Sequence, residues 1–178
     1  MGTHYQRGYQ VEYRCRKMLL REGYVRVFKN GGSKFPDLIA LALDHTLLCE
    51  VKSTRTAPIP FYKYREDIVA MEQLATELGF AEAPFRYRLA VWVGEGRSGY
   101  WRVYELAAQT PTTRRYAWLR DDGREALFID EKGKVQLWPL GGFKKREKKE
   151  RLLWGMLLQH LDTDAGFALP ATLSEAEA

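Results

Sequence analysis

Asparagine is nearly missing from this chain of 178 residues, Asn30 being the only one. Such scarcity accompanies both heat-adapted proteins and GC-rich coding, and it does not separate them. Cysteine is scarce too: Cys15 and Cys49 stand alone, each in an apolar-patterned segment. Two such thiols exclude a disulfide framework and read as reduced core groups of a cytoplasmic protein. His4, His45 and His160 are scattered without ligand spacing, which argues against a histidine-built metal centre. No apolar run approaches the roughly 20 residues that cross a bilayer, and the N-terminus lacks a signal peptide's apolar core. Neither a membrane partner nor a secretory leader is expected, and no internal repeat is visible.

What the chain does have is an apolar fraction of 46% and a net charge of +5. The first is enough for one core-forming domain with a small appendage. The second, with a pI near 9.2, favours a polyanionic partner.

Residues 4–22 carry an apolar stripe of Val11, Cys15, Met18 and Leu19, which predicts a helix stopped by Gly23. Tyr24 to Lys29 alternates like a strand, and residues 30–34 form a glycine-rich loop. In residues 54–65, Pro58 and Pro60 exclude a helix. Helical periodicity returns from Glu66 to Leu78, and two strands follow at Arg86–Val93 and Tyr100–Leu106. The order α-β-β-β-α-β-β predicts an α/β fold, a mixed central sheet flanked by helices. Short strands are expected at Tyr116–Leu119, Ala126–Ile129 and Val135–Trp138, separated by Asp-Gly and Lys-Gly turns. A basic cluster at 144–151 then runs into an amphipathic segment ending at Leu161, and residues 162–178 form an acidic tail. The expected division is a core at 1–106, a β/α extension at 107–161 and a flexible tail at 162–178.

The chemistry concentrates in two apolar runs. Pro36-Asp37 opens the first, and Glu50-Val51-Lys52 lies thirteen residues further on in the second. Charges inside β-like apolar runs are costly unless something binds them. The polar triplet Asp44-His45-Thr46 between the runs predicts a hairpin. With an even loop centred on Asp44-His45, paired residue numbers sum to 89, so Asp37 faces Lys52 and Ile39 faces Glu50. Side chains alternate along a strand, so Asp37, Glu50 and Lys52 share one face. A three-residue loop would split them.

Two carboxylates and an ammonium on one face suit a divalent metal with a cationic partner. Asp37 and Glu50 offer hard oxygen ligands for Mg²⁺, with Mn²⁺ as a substitute, and the Val51 carbonyl offers another. Such a set serves phosphodiester hydrolysis, which needs charge neutralised, a water activated and the developing anion stabilised. Lys52 suits orienting that water or stabilising the phosphate; flanking carboxylates hold it charged, which favours positioning over a free-amine base. Glu12 borders the helix stripe and is a candidate third carboxylate. Its plain alternative is a surface pair with Arg16 at i,i+4. Gly8, one turn earlier, permits close approach of backbone or nucleic acid.

The pattern Pro36-Asp37…Glu50-Val51-Lys52 resembles that of the PD-(D/E)XK nuclease superfamily. Arg7-Gly8-x-x-x-Glu12, Gly23-Tyr24, Gly32-Ser33, Asp37-Leu38-Ile39-Ala40, Cys49-Glu50-Val51-Lys52-Ser53-Thr54 and Trp101-Arg102-Val103-Tyr104 look like the archaeal-type Holliday junction resolvases. The likeness covers roughly residues 5–105. It implies a restriction-endonuclease-like core and a homodimer that nicks opposed strands of branched, four-way DNA with Mg²⁺. By position, Glu12, Asp37, Glu50 and Lys52 match the family's catalytic set and Ser33 its loop serine. Tyr13 stands where the family commonly has arginine after the helix glutamate. Other nucleases of the superfamily, and a catalytically silent DNA-binding subunit, are the competing expectations.

Candidate DNA contacts are Arg7, Arg14, Lys34, Arg55, Tyr62, Lys63 and Arg65, with Lys144 and Lys145 from the basic cluster. Guanidinium and aromatic groups suit phosphates and splayed bases. A solvated helix start is the plainer reading of the basic cluster.

Overall fold

The computed structural model describes residues 4–31, 35–80, 84–109 and 115–140, and for residues 4–7 and 108 the backbone alone. Helix α1 (His4–Arg21) ends where the sequence predicts. Gly23 takes φ 101°, and the Tyr24 N–H returns to the Leu19 carbonyl at 3.2 Å. A residue with a Cβ is strained in that backbone conformation, so glycine marks the stop.

Three strands follow: β1 (Arg26–Lys29), β2 (Leu38–Leu41) and β3 (Thr46–Thr54). A short 3-10 turn (Phe61–Tyr64) leads into α2 (Arg65–Leu78). Next come β4 (Phe85–Val93), β5 (Tyr100–Gln109), β6 (Tyr116–Arg120), β7 (Glu125–Ile129) and β8 (Val135–Pro139). All eight strands form one sheet in sequence order. Only β3 and β4 pair in parallel, because α2 crosses between them; the other neighbours are antiparallel. Among the described residues the fold is therefore α/β, a mixed sheet with two helices.

The hairpin register differs from the expected one. Leu38 faces Cys49 and Ile39 faces Leu48, so paired numbers sum to 87 instead of 89. The loop is Leu43-Asp44, closed by the Ala42 N–H on the His45 carbonyl at 2.9 Å. Leu43 is 98% exposed, whereas His45 is held at the sheet end, its Nε2 3.2 Å from the Tyr24 hydroxyl. The shift of two keeps the parity. Continued by one pair, this register sets Asp37 opposite Glu50, and the same-face expectation survives.

Alternation divides the apolar residues between two layers. Leu47, Cys49 and Val51 of β3 join Val11, Cys15 and Leu19 of α1. Leu48 of β3 joins Ile68, Met71 and Ala75 of α2, together with Leu89, Val91 and Tyr104. Glu50 and Lys52 continue the second set, so they project on the α2 side. Cys15 and Cys49 are free buried thiols with sulfurs 3.9 Å apart, and that contact together with burial raises the Cys49 pKa.

The boundary expected after residue 106 falls inside β5, and β6–β8 hydrogen-bond onward from that strand. Trp118 and Leu127 from these strands are buried in the α2 layer. The expected basic helix and acidic tail lie outside the described residues. Among the described residues no helix is long and apolar enough to cross a membrane.

Candidate active site

The site sits at the C-terminal end of β3, where β2 stops short and leaves backbone groups open to side chains. Asp37 stands one residue before β2. The Val51 N–H donates to its Oδ2 at 2.9 Å, and its own N–H donates to Glu50 Oε2 at 3.2 Å. These two bonds tie the carboxylates to each other's strand. In an extended strand the N–H and C=O of one residue leave on the same edge, so the Val51 carbonyl opens toward Asp37 as well.

Lys52 completes the cluster. Its Nζ donates to Glu50 Oε1 at 2.7 Å and lies 3.0 Å from Asp67 Oδ1 on the first turn of α2. Burial alone would lower the lysine's pKa, but Glu50 and Asp67 outweigh it and hold the ammonium above its ordinary value. Lys52 is therefore a fixed cation, as its flanking carboxylates predict. Nearby, the Tyr64 hydroxyl donates to the Ser53 carbonyl at 3.0 Å and pins the 3-10 turn against β3.

The carboxylates respond in the opposite sense to an ordinary surface pair. Glu50 is 3% exposed. Burial pushes its pKa up to about 7, Lys52 opposes the shift and Asp37 adds to it. Asp37 is raised too, by burial first, against the Val51 N–H and Lys52, with Glu12 contributing repulsion. One lysine does not compensate two desolvated carboxylates. A second positive charge at this point would lower both pKa values.

Glu12 lies on α1 within electrostatic reach of Asp37. Its partner is not Arg16 but Lys29 at the end of β1, whose Nζ is 2.6 Å from Glu12 Oε2. Asp37, Glu50 and Lys52 are thus brought together directly, while Glu12 is held to one side by its own cation. Among the described residues no three His, Cys, Asp or Glu side chains form a ready-made metal cluster. The oxygen donors present are two carboxylates and a backbone carbonyl, a hard set that fits Mg²⁺ or Mn²⁺ with water filling the other positions.

The remaining predicted contacts disperse. Arg7 lies on α1. Arg14 places its guanidinium 5.0 Å over the Trp92 ring and donates to the Gly96 carbonyl. Arg55 pairs with Glu95 at 2.9 Å, both exposed. Tyr62 is 70% exposed, with the Lys63 ammonium 5.8 Å from its ring centre. Arg65 turns to the Gly133 carbonyl in the β7–β8 turn, where a Cβ would meet its guanidinium at 2.8 Å. Ser33, Lys34, Lys144 and Lys145 lie outside the described residues. Asp67 is the site residue that sequence reasoning missed. Acidic residues are ordinary in a first helical turn, where they meet the helix dipole, so nothing local singled it out.

No protein-family model matches this sequence, and no curated protein matches it. Among solved structures it is similar to the 1.6 Å structure of Archaeoglobus fulgidus Hjc, a Holliday junction resolvase from an archaeal hyperthermophile. The two share 16% identity over 65% of this chain and 85% of that one, with a TM-score of 0.42.

Proposed function

We propose that this chain is a metal-dependent DNA endonuclease that resolves four-way junctions. The observation that carries the reading is the contact cluster of Asp37, Glu50 and Lys52 on one sheet face. Asp37, Glu50 and the Val51 carbonyl would hold Mg²⁺, with Mn²⁺ able to replace it, and Glu12 would supply a further carboxylate. When bound, the ion neutralises the scissile phosphate and lowers the pKa of a bound water.

The protein's own groups do the rest. Lys52, kept charged by Glu50 and Asp67, meets a phosphate oxygen lying against the carboxylates and offsets its growing charge. The bonds from the Val51 and Asp37 N–H groups fix both carboxylates before substrate arrives, so little reorganisation accompanies the reaction. Arg14, Arg55, Tyr62 and Lys63 offer phosphate and base contacts, joined by Arg7, Arg65, Ser33, Lys34, Lys144 and Lys145 as the sequence suggests. Two copies related by a twofold axis would place two such sites on a branched substrate and give paired nicks by symmetry.

The test is a mobile four-way junction labelled on each strand, with Mg²⁺, beside linear duplex and flap controls. Paired nicks confined to the junction are expected. Asp37→Asn is expected to abolish them while junction binding stays near the wild-type level. Equal cutting of all three substrates would assign a general nuclease. Tight binding without cutting in Mg²⁺ and Mn²⁺ alike would assign a silent binding subunit.

A further inference from the structure

The sheet face turned away from Glu50 carries a cleft of about 430 Å³ between α1 and the β4–β5 hairpin. Its size lies within the range of small-ligand pockets. Met18, Trp92 and Trp101 form its apolar surface, and Arg14, Lys17 and Arg21 stand along its α1 side. The two indoles meet edge to face, with centroids 5.2 Å apart. Trp92 is buried beneath the Arg14 guanidinium, whereas Trp101 is only half-buried.

The described residues leave the positive charge on this cleft without a carboxylate partner. Positions 14, 17 and 21 share one side of the helix. The acid at its rim, Glu22, is taken by Arg88 at 2.6 Å. Among the described residues none of the three cations meets a carboxylate; Arg14 turns to the Gly96 carbonyl and Trp92, and Lys17 to the Tyr13 ring at 4.6 Å. Cations beside an open aromatic ring match a ligand that is both planar and anionic.

Arg14 and Arg21 are separated by about 10 Å along the helix. That span exceeds what one phosphate needs and suits a strand carrying several. A duplex hides its base faces in the stack, so an unpaired strand alone presents one to Trp101. Arg14 and Trp92 also line an adjoining hollow with Arg55 and Gly96. Arg55 directly follows β3, so this hollow leads to the same strand end as Lys52.

We infer that the α1 cleft takes an unstacked nucleotide of single-stranded DNA, its base against Trp101 and its phosphates among Arg14, Lys17 and Arg21. Strand capture here needs no cleavage at the other face, although it shares Arg14 with the DNA contacts of the nuclease reading.

The test is a titration of intrinsic tryptophan fluorescence with short oligothymidylate in the presence of a chelator. Thymidine monophosphate and a blunt duplex are titrated in parallel. Saturable quenching by the oligomer is expected, with weaker responses to the other two. Trp101→Ala should weaken oligomer binding roughly tenfold or more, and Trp101→Phe should keep most of the affinity. Lys17→Gln combined with Arg21→Gln leaves the indoles untouched and should reduce the salt dependence of binding by a slope of about 1.4. Wild-type affinity in a Trp101→Ala protein that remains folded by circular dichroism would overturn the inference. Unchanged salt dependence in the double variant would also overturn it. Thymidine monophosphate binding as tightly as the oligomer would assign the cleft to free nucleotides and overturn the strand assignment. Cleavage plays no part in the readout, so failure of the nuclease reading and failure of this one are separately visible.

Discussion

Glu50 at the end of β3 and Glu72 in the middle of α2 are both pushed up to about 7 by burial. They differ in company. Glu50 has Lys52 at 2.7 Å, the Asp37 N–H at 3.2 Å and a second raised carboxylate beside it. Glu72 accepts from the Trp118 indole N–H at 2.9 Å, and that bond lowers its pKa against the larger effect of burial. A raised pKa thus reports desolvation wherever it occurs. What distinguishes a site is convergence: several groups of mixed charge aimed at one point, with backbone edges open beside them. Glu72 caps an indole inside a wall of the core and has the character of a structural hydrogen bond.

The sharpest way to break this contrast is to neutralise each carboxylate in turn. Glu50→Gln should reduce junction nicking by on the order of a thousandfold, comparable to losing a principal transition-state group. Glu72→Gln should leave nicking within about twofold, because it touches no group of the cluster. Equal losses in both variants would show that the α2 wall, and not the cluster, governs activity.

A second prediction concerns pH. A carboxyl whose folded pKa lies above its unfolded value stabilises the fold most when protonated. Its contribution is complete below about 4.5 and is lost as pH rises through about 7. The metal-free protein should therefore lose stability across that window, by up to about 3 kcal/mol for Glu72. Glu72→Gln should flatten this part of the profile in chemical denaturation, while added Mg²⁺ should offset the part due to Glu50 at the alkaline end. A wild-type profile unchanged by Glu72→Gln would mean that the group is hydrated in solution.

The smallest effect is expected at Asp67, which holds Lys52 from the far side. Asp67→Asn should lower kcat about tenfold with little change in KM, since it loosens the ammonium without removing it. A shift in the pH–rate profile should accompany the loss. A KM effect alone would place Asp67 in substrate binding instead.

Much of this arrangement was legible in the sequence, for physical reasons that can be named. Parity along the β2–β3 hairpin depends only on whether the loop is even, so the shared face of Asp37, Glu50 and Lys52 survived a register error of two. The error itself arose because exposed Leu43 looks like a strand residue and His45 like a loop residue. Tyr24, distant in sequence, decides otherwise. Gly23 and Gly79 flank their helices because glycine punctuation is local. The sequence offers Arg65 as a DNA contact and gives no sign that its Nε also donates to the Gly133 carbonyl. Each of these turns on a partner far along the chain, and periodicity carries no trace of it.

The strands run from one edge of the sheet to the other in sequence order, and this order bears on how the chain assembles. Six of the seven pairings join strands that follow one another as antiparallel neighbours, so the chain forms two meanders, β1–β3 and β4–β8. One parallel seam, with nine paired positions, joins them across the α2 crossover. Contacts of longer loop closure form later in folding. Glu50 and Lys52 lie on that seam, and Asp67 lies on the crossover that closes it. On that order Glu50 and Lys52 stay in water while the hairpins zip up, and burial reaches them only when the two halves meet.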